Sequence, residues 1–200
     1  METFFIIVML LTSVIGLAFI VERGFALRWN RVIPPGLEDA AEACRTPADR
    51  PVLHRICEQS SSPLARLLLS AEQNLDVCKE DNENALQTRA RQEIIRLERG
   101  LVVLEIVVGI APLLGLVGTI YGMMTLFGGL GESGLGDNAV LAKGISLILR
   151  FTMAGLLIAI PSLIAWSYYN KKVETLSVEM ETLCDEFLRR YYSGTRKGRL

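Results

Sequence analysis

Residues 110–127 read IAPLLGLVGTIYGMMTLF, an apolar run with one proline, three glycines, two threonines and no charge. The run lies inside a longer stretch, 106–130, that has no charged side chain. About 25 residues is more than the ~20 that cross a bilayer as a helix. The small residues are ordered: Gly115, Gly118 and Gly122, with Thr119, recur three and four apart, so they line one side of a helix and admit a neighbouring backbone. A segment serving only as an anchor could be built from Leu and Val throughout, so this one is read as a packing helix.

Half of the 200 residues are hydrophobic, and these are concentrated in three blocks. The first is Phe4–Val21, closed by Glu22 and Arg23, the second is Ile106–Leu130 and the third is Phe151–Tyr169. The first block has no basic flank before it, its apolar core exceeds the 7–15 residues typical of a signal peptide, and no A-x-A-like site follows, so it reads as a retained membrane helix. The sequence predicts an all-α integral membrane protein with three transmembrane helices and long cytoplasmic helical extensions. The expected divisions are a first span at 1–22, a cytoplasmic helical domain at 23–104, a second span at 105–130, a periplasmic loop at 131–138, a third span at 139–169 and a cytoplasmic C-terminal helix and tail at 170–200. Arg23, Arg28 and Arg31 follow the first block, and Lys171, Lys172, Arg189, Arg190, Arg196, Lys197 and Arg199 follow the third, whereas the short loop carries Glu132 and Asp137. The positive-inside rule then sets the N-terminus in the periplasm and the C-terminus in the cytoplasm.

Chemistry-bearing side chains are sparse. Cys44, Cys57, Cys78 and Cys184 lack zinc-site spacing, and His54 is the single histidine, so neither a metal site nor a cofactor is expected and the thiols read as small buried or half-buried groups. A Cys–His pair would need a third group to orient the base, and Gly128–Gly136 lacks the Lys-Ser/Thr ending of a phosphate loop, so no enzyme is predicted. A net charge of −1 excludes bulk nucleic-acid binding. Between the first two spans, the prolines at 34, 35, 47 and 51 predict short helices near Leu37–Cys44 and Val52–Gln59. Pro63 suits the first turn of a further helix capped by Ser62, with Leu64, Leu67, Leu68, Ala71 and Leu75 on its apolar face. A helical stretch at Asp81–Arg99, containing Ala85, Leu86, Ile94, Ile95 and Leu97, leads into the second span with Gly100 as the one breaker. Val173, Leu176, Met180, Leu183 and Phe187 continue the third span as an apolar stripe.

The run Pro-x-x-Gly-x-x-Gly-Thr at 112–119 and the run Thr-x-x-Gly-Leu-x-x-Ala-Ile-Pro at 152–161 resemble the proton-channel family that includes MotA, TolQ and ExbB. VERGFALR at 21–28, SPLARLL at 62–68 and RLERGLVVLEIVVGIAP at 96–112 bring the resemblance closest to the ExbB/TolQ branch, and the MotA branch has an extra span and a larger cytoplasmic domain. The resemblance implies a homopentamer around a pore in the bacterial inner membrane. That pore would hold helices of an ExbD- or TolR-like single-span partner with a membrane-embedded aspartate, coupled to a TonB- or TolA-like protein among membrane lipids. It also implies that Thr119 and Thr152 line the pore. Chemically each hydroxyl either holds water or a carboxylate, or bonds a carbonyl one turn back in its own helix.

Pro112 and Pro161, read as lying near the cytoplasmic ends of their spans, are kink positions, and Gly155 supplies the third span with a close-packing face. Many ExbB and TolQ relatives carry a glutamate five residues before the threonine of the third span, where this chain has Leu147; Arg150 is the nearest ionisable group. Arg150 either faces the pore, where it would repel cations or pair with the partner's aspartate, or snorkels at the outer interface. Glu105 either accepts protons at the cytoplasmic mouth or pairs at the interface. The expected function is the channel subunit of a proton-driven motor energising TonB-dependent import or Tol-type envelope processes. The alternative is a non-conducting scaffold that assembles such partners.

Overall fold

A computed structural model describes residues 2–133 and 138–197. Every regular element among them is helical. In chain order these are α1 (Glu2–Ala26), α2 (Trp29–Val32), α3 (Pro35–Ala43), a 3-10 turn at Pro47–Asp49, α4 (Arg50–Glu58), α5 (Pro63–Gln73), α6 (Lys79–Glu98), α7 (Leu101–Ser133) and α8 (Asn138–Lys197). Three of them, α1, α7 and α8, contain segments long and apolar enough to cross a membrane. Of the loop expected at 131–138, residues 131–133 belong to α7 and Asn138 begins α8. Residues 134–137 and Arg199 lie outside the described residues.

The contacts divide the chain into two compact units. One comprises the chain up to Arg23 with Gly100–Tyr168, and the other comprises Gly24–Arg99 with the chain from Tyr169 onward.

The membrane unit is a three-helix packing of α1, α7 and α8. Leu101, Leu104, Val107 and Ala111 on α7 and Phe151, Ala159 and Ser162 on α8 are buried, while long rows of Leu, Ile, Val and Met face outward. Exposed apolar surface of that extent suits hydrocarbon rather than water. Gly100 ends α6 before α7 starts, and the Arg23 side chain lies where a β-carbon at Gly100 would project. The stretch from 81 to the second span is therefore two helices, broken at 99–100 beside the glycine that the sequence marks as the one breaker.

The second unit is a small helical bundle. Ser62 caps α5 by accepting a hydrogen bond from the Ala65 amide at 3.2 Å, and Pro63 sits in the first turn. Leu64, Leu67, Leu68 and Ala71 are fully buried and Leu75 nearly so. On α8 the buried stripe is Val173, Leu176, Met180, Phe187 and also Cys184, Leu188 and Tyr191. Each buried Leu or Phe contributes about 1.5–3 kcal/mol. An exposed ion pair such as Lys171–Glu174 adds 0–1 kcal/mol, so apolar packing decides this fold.

The inward face of α6 is half polar. Ile95 is exposed, and the buried positions are Asn82, Leu86, Ala90 and Glu93. Glu93 is fully enclosed because Arg66 of α5 clamps one carboxylate oxygen with two bonds (2.9 and 2.6 Å) and Arg96 holds the other at 2.9 Å. Asn82 donates to the Ala71 carbonyl at 3.0 Å, and the Tyr192 hydroxyl, 3.4 Å from the Asn82 amide, donates to the Val77 carbonyl at 3.0 Å. These polar contacts fix the α5–α6 turn against the end of α8.

Arg50 ties α4 to α5 by reaching the Glu72 carboxylate (3.2 Å), the Glu72 carbonyl (3.2 Å) and Asp76 (3.1 Å). His54 completes the cluster, with its Nδ1 3.1 Å from Glu72 and its Nε2 3.4 Å from Glu58. Of the four thiols, Cys44, Cys57 and Cys184 are buried, whereas Cys78 is exposed and donates to Asp81 at 3.0 Å, which corrects the expectation for that residue.

Candidate functional site

The site is built on the antiparallel hairpin of α7 and α8. Gly115, Gly118, Gly122 and Leu126 form one buried line on α7, and Gly144, Ile148, Phe151, Gly155 and Ala159 meet it from α8. A β-carbon on Gly115 would lie 3.1 Å from the Phe151 carbonyl oxygen and one on Gly122 2.8 Å from the Ile148 side chain. One on Gly155 would lie 2.7 Å from the Ala111 carbonyl oxygen. The glycines therefore allow backbones to touch, the arrangement expected of small-residue seams in membranes. Both prolines lie inside unbroken helices. Pro112 is half-buried on the hairpin and Pro161 is exposed.

The seam sets where the hydroxyls point. Helical residues advance by about 100°, so Thr119 lies roughly 60° to one side of the glycine line on α7 and Thr152 roughly 60° to one side of the Phe151–Gly155 line on α8. Because the helices face each other and run antiparallel, the same sense of rotation brings both threonines to one flank of the hairpin. The match extends to depth, since Gly118 packs on Phe151 and Gly115 on the Thr152 backbone. Thr119 is half-exposed and Thr152 exposed from the subunit. The Thr119 hydroxyl donates to the Leu116 carbonyl at 2.6 Å, whereas that of Thr152 makes only a long contact, 3.4 Å, with the Ile148 carbonyl. Both oxygens keep lone pairs for water or a protonated carboxyl group, and the long Thr152 bond leaves its proton readily redirected.

The helix α1 covers the opposite flank. Its Gly16 packs against Val107 and Ser162, and its Phe5 ring stands 5.5 Å from Tyr121 and 6.2 Å from Phe151. Val107 and Tyr121 rotate to the side of α7 away from Thr119. Ser162 is buried there and donates to the Ile158 carbonyl at 2.8 Å.

The remaining candidates separate between the two flanks. Leu147 and Arg150 do not join the threonines. They line a groove on the α1 side together with Thr125, Ser146 and Lys143. Glu105 is exposed, forms no ion pair among the described residues, and lies on the Thr119 side of α7, about 21 Å further along the helix. Thr125, Ser146 and Lys143 escaped the sequence reading. The signal present was the seven-residue interval between Lys143 and Arg150, which returns a helix to nearly the same face.

Residues 59–182 match the MotA/TolQ/ExbB proton channel family. That match spans both motif-bearing helices, and the chain belongs to this family. The biopolymer transport protein ExbB of Helicobacter pylori is 40% identical over 81 residues, covering 40% of this chain and 56% of that protein. An ExbB-like putative biopolymer transport protein of Synechocystis is 30% identical over 163 residues, covering 79% of this chain and 63% of that protein. The Tol-Pal system protein TolQ of Pseudomonas aeruginosa is 34% identical over 112 residues, covering 56% and 48%. The chain thus spans roughly half to two thirds of these relatives. They place the chain in the ExbB/TolQ branch of that family.

Proposed function

We propose that this chain is the wall-forming subunit of a proton-conducting assembly in a bacterial inner membrane, working in biopolymer import or a Tol-type envelope system. The observation that carries the reading is the position of Thr119 and Thr152: two hydroxyls at matched depth on the single flank of the hairpin that α1 leaves uncovered. Copies of the chain, in the reading a pentamer, set that flank toward a shared lumen. A single-span partner of the ExbD or TolR type supplies a membrane-embedded aspartate, and a TonB- or TolA-like protein receives the resulting motion.

The chemistry follows from what each group can do. A carboxylic acid binds and releases a proton as its surroundings change, whereas a hydroxyl can donate to a carboxylate or accept from a carboxylic acid. The wall therefore solvates both states of the partner's acid without titrating. Movement down the gradient supplies about 2.3 kcal/mol per proton per 100 mV. Glu105, on the same side of α7, suits the cytoplasmic mouth, with the N-terminus periplasmic and the C-terminus cytoplasmic. Arg150 and Leu147 fall outside the pathway in this reading, because they stand on the other flank. Pro112, Pro161 and the seam glycines hold the wall's shape.

The test is proton flux into dye-loaded vesicles holding this chain with its single-span partner. Thr119→Val with Thr152→Val should lower flux at least about tenfold, the equivalent of losing one hydrogen bond to a charged group. Thr125→Val, on the α1 side, should leave flux unchanged. Flux indifferent to the threonine pair and to loss of the partner's aspartate would leave the chain a non-conducting scaffold.

A further inference from the structure

The groove on the α1 flank is unused by the proposed pathway and has its own chemistry. It is lined by Gly122, Thr125 and Leu126 of α7 and by Lys143, Ser146, Leu147 and Arg150 of α8, with Gly129 at its edge, and has a volume of about 710 Å³. That is room for a small ligand, whose sites span about 300–1,000 Å³. Lys143 and Arg150 lie two turns apart, roughly 10 Å along the helix. Neither cation has an acidic partner among the described residues. Cations at membrane depth are costly unless an anion meets them.

We propose that this groove is a binding site for the phosphate headgroup of an anionic phospholipid. Lys143 and Arg150 line the same groove, so both can donate to the charged oxygens of one phosphodiester, and the Ser146 hydroxyl adds a donor within the same lining. The glycines at 122 and 129 keep the α7 wall low, and Leu126 and Leu147 offer an apolar floor for the start of an acyl chain. Position selects a lipid as the source of the phosphate. The lining residues at 122–129 and 143–150 lie within two of the helical segments apolar enough to cross a membrane, on the flank opposite the threonines, so the anion that meets them there comes from the bilayer. The headgroup would seat between α7 and α8 and hold that end of the hairpin together. This inference stands independently of proton conduction, since the threonine flank plays no part in it.

The experiment uses the purified full chain in neutral detergent, stripped of lipid and then offered dioleoyl phosphatidylglycerol or dioleoyl phosphatidylcholine, with retention read by native mass spectrometry. Phosphatidylglycerol should be kept about tenfold better, as two cations near an anionic headgroup predict, and Lys143→Gln with Arg150→Gln should bring the ratio close to one. Lys143→Arg with Arg150→Lys should preserve it. Equal retention of the two lipids, an unchanged ratio in the double glutamine variant, or displacement of the lipid by excess inorganic phosphate would overturn the proposal. Should the glutamine variant fail to fold, a diazirine-bearing phosphatidylglycerol added to the unmodified chain should label peptides within 122–150. Label confined elsewhere would equally overturn it.

Discussion

Gly155 brings the backbone of α8 against the Ala111 carbonyl, and its side of the contact cannot yield, because the atom it would strike is main chain. Gly155→Ala should therefore destabilise the hairpin by about 1–3 kcal/mol, the usual cost of overpacking. Gly109→Ala serves as its control, since nothing lies within 4 Å of a β-carbon there, and should leave stability unchanged or raise it by up to about 1 kcal/mol. Thermal unfolding of both variants in one detergent compares them directly; equal melting points would contradict the seam. At this scale the sequence was legible where spacing alone carries meaning, as with the glycines at 115, 118 and 122. It was silent about Glu93, whose burial depends on Arg66 from another helix and Arg96 from its own.

Among the helices, α5 was the best foreseen. Its cap, its first-turn proline and the apolar positions Leu64, Leu67, Leu68 and Ala71 follow from local rules that need no partner to be read, whereas Leu75, expected on the same face, lies past the helix end at Gln73. Ser62→Ala should cost about 1 kcal/mol, and Ser62→Thr should restore most of it. Amide exchange at Ala65 and Arg66 should quicken about fivefold in the alanine variant, the kinetic equivalent of that energy. An unchanged exchange rate would remove the cap from the account. The helix α6 was the least legible, because its inward face is half polar. Periodicity counts apolar residues, and here Asn82 and Glu93 occupy positions that pattern would give to Leu or Ile.

For the whole molecule, three buried thiols make stability depend on alkaline pH. Burial is the first cause in each case: it pushes Cys44 up to about 11 and Cys57 and Cys184 up to about 12 from an ordinary value of 9.0, with Asp49 and Glu72 adding to Cys44, Glu72 to Cys57, and Cys57 to Cys184. A folded-state value above the unfolded one means that the folded chain holds its protons longer. The contribution is thus complete below pH 9 and falls as pH rises through the folded values. Each thiol removes about 1.4 kcal/mol per pH unit in that window. Denaturation midpoints of the full chain should be flat from pH 7 to 8.5 and fall steeply above about 9, and Cys57→Ala should make that fall shallower. Identical slopes for the variant and the parent would exclude the thiols as its cause.

The three apolar blocks, the glycine seam and the family motifs could be read without coordinates, because bilayer thickness and helical period act on a chain through local composition and spacing. Which flank of the hairpin each polar group occupies could not. Thr119, Thr125, Thr152 and Arg150 fall within a few turns of one another in two helices, and only the pairing of α7 with α8 and the covering by α1 sort them into a threonine flank and a cationic groove. That sorting depends on rotation about a helix axis relative to its neighbours. Such a rotation is fixed by contacts between residues distant in sequence, which no local pattern encodes.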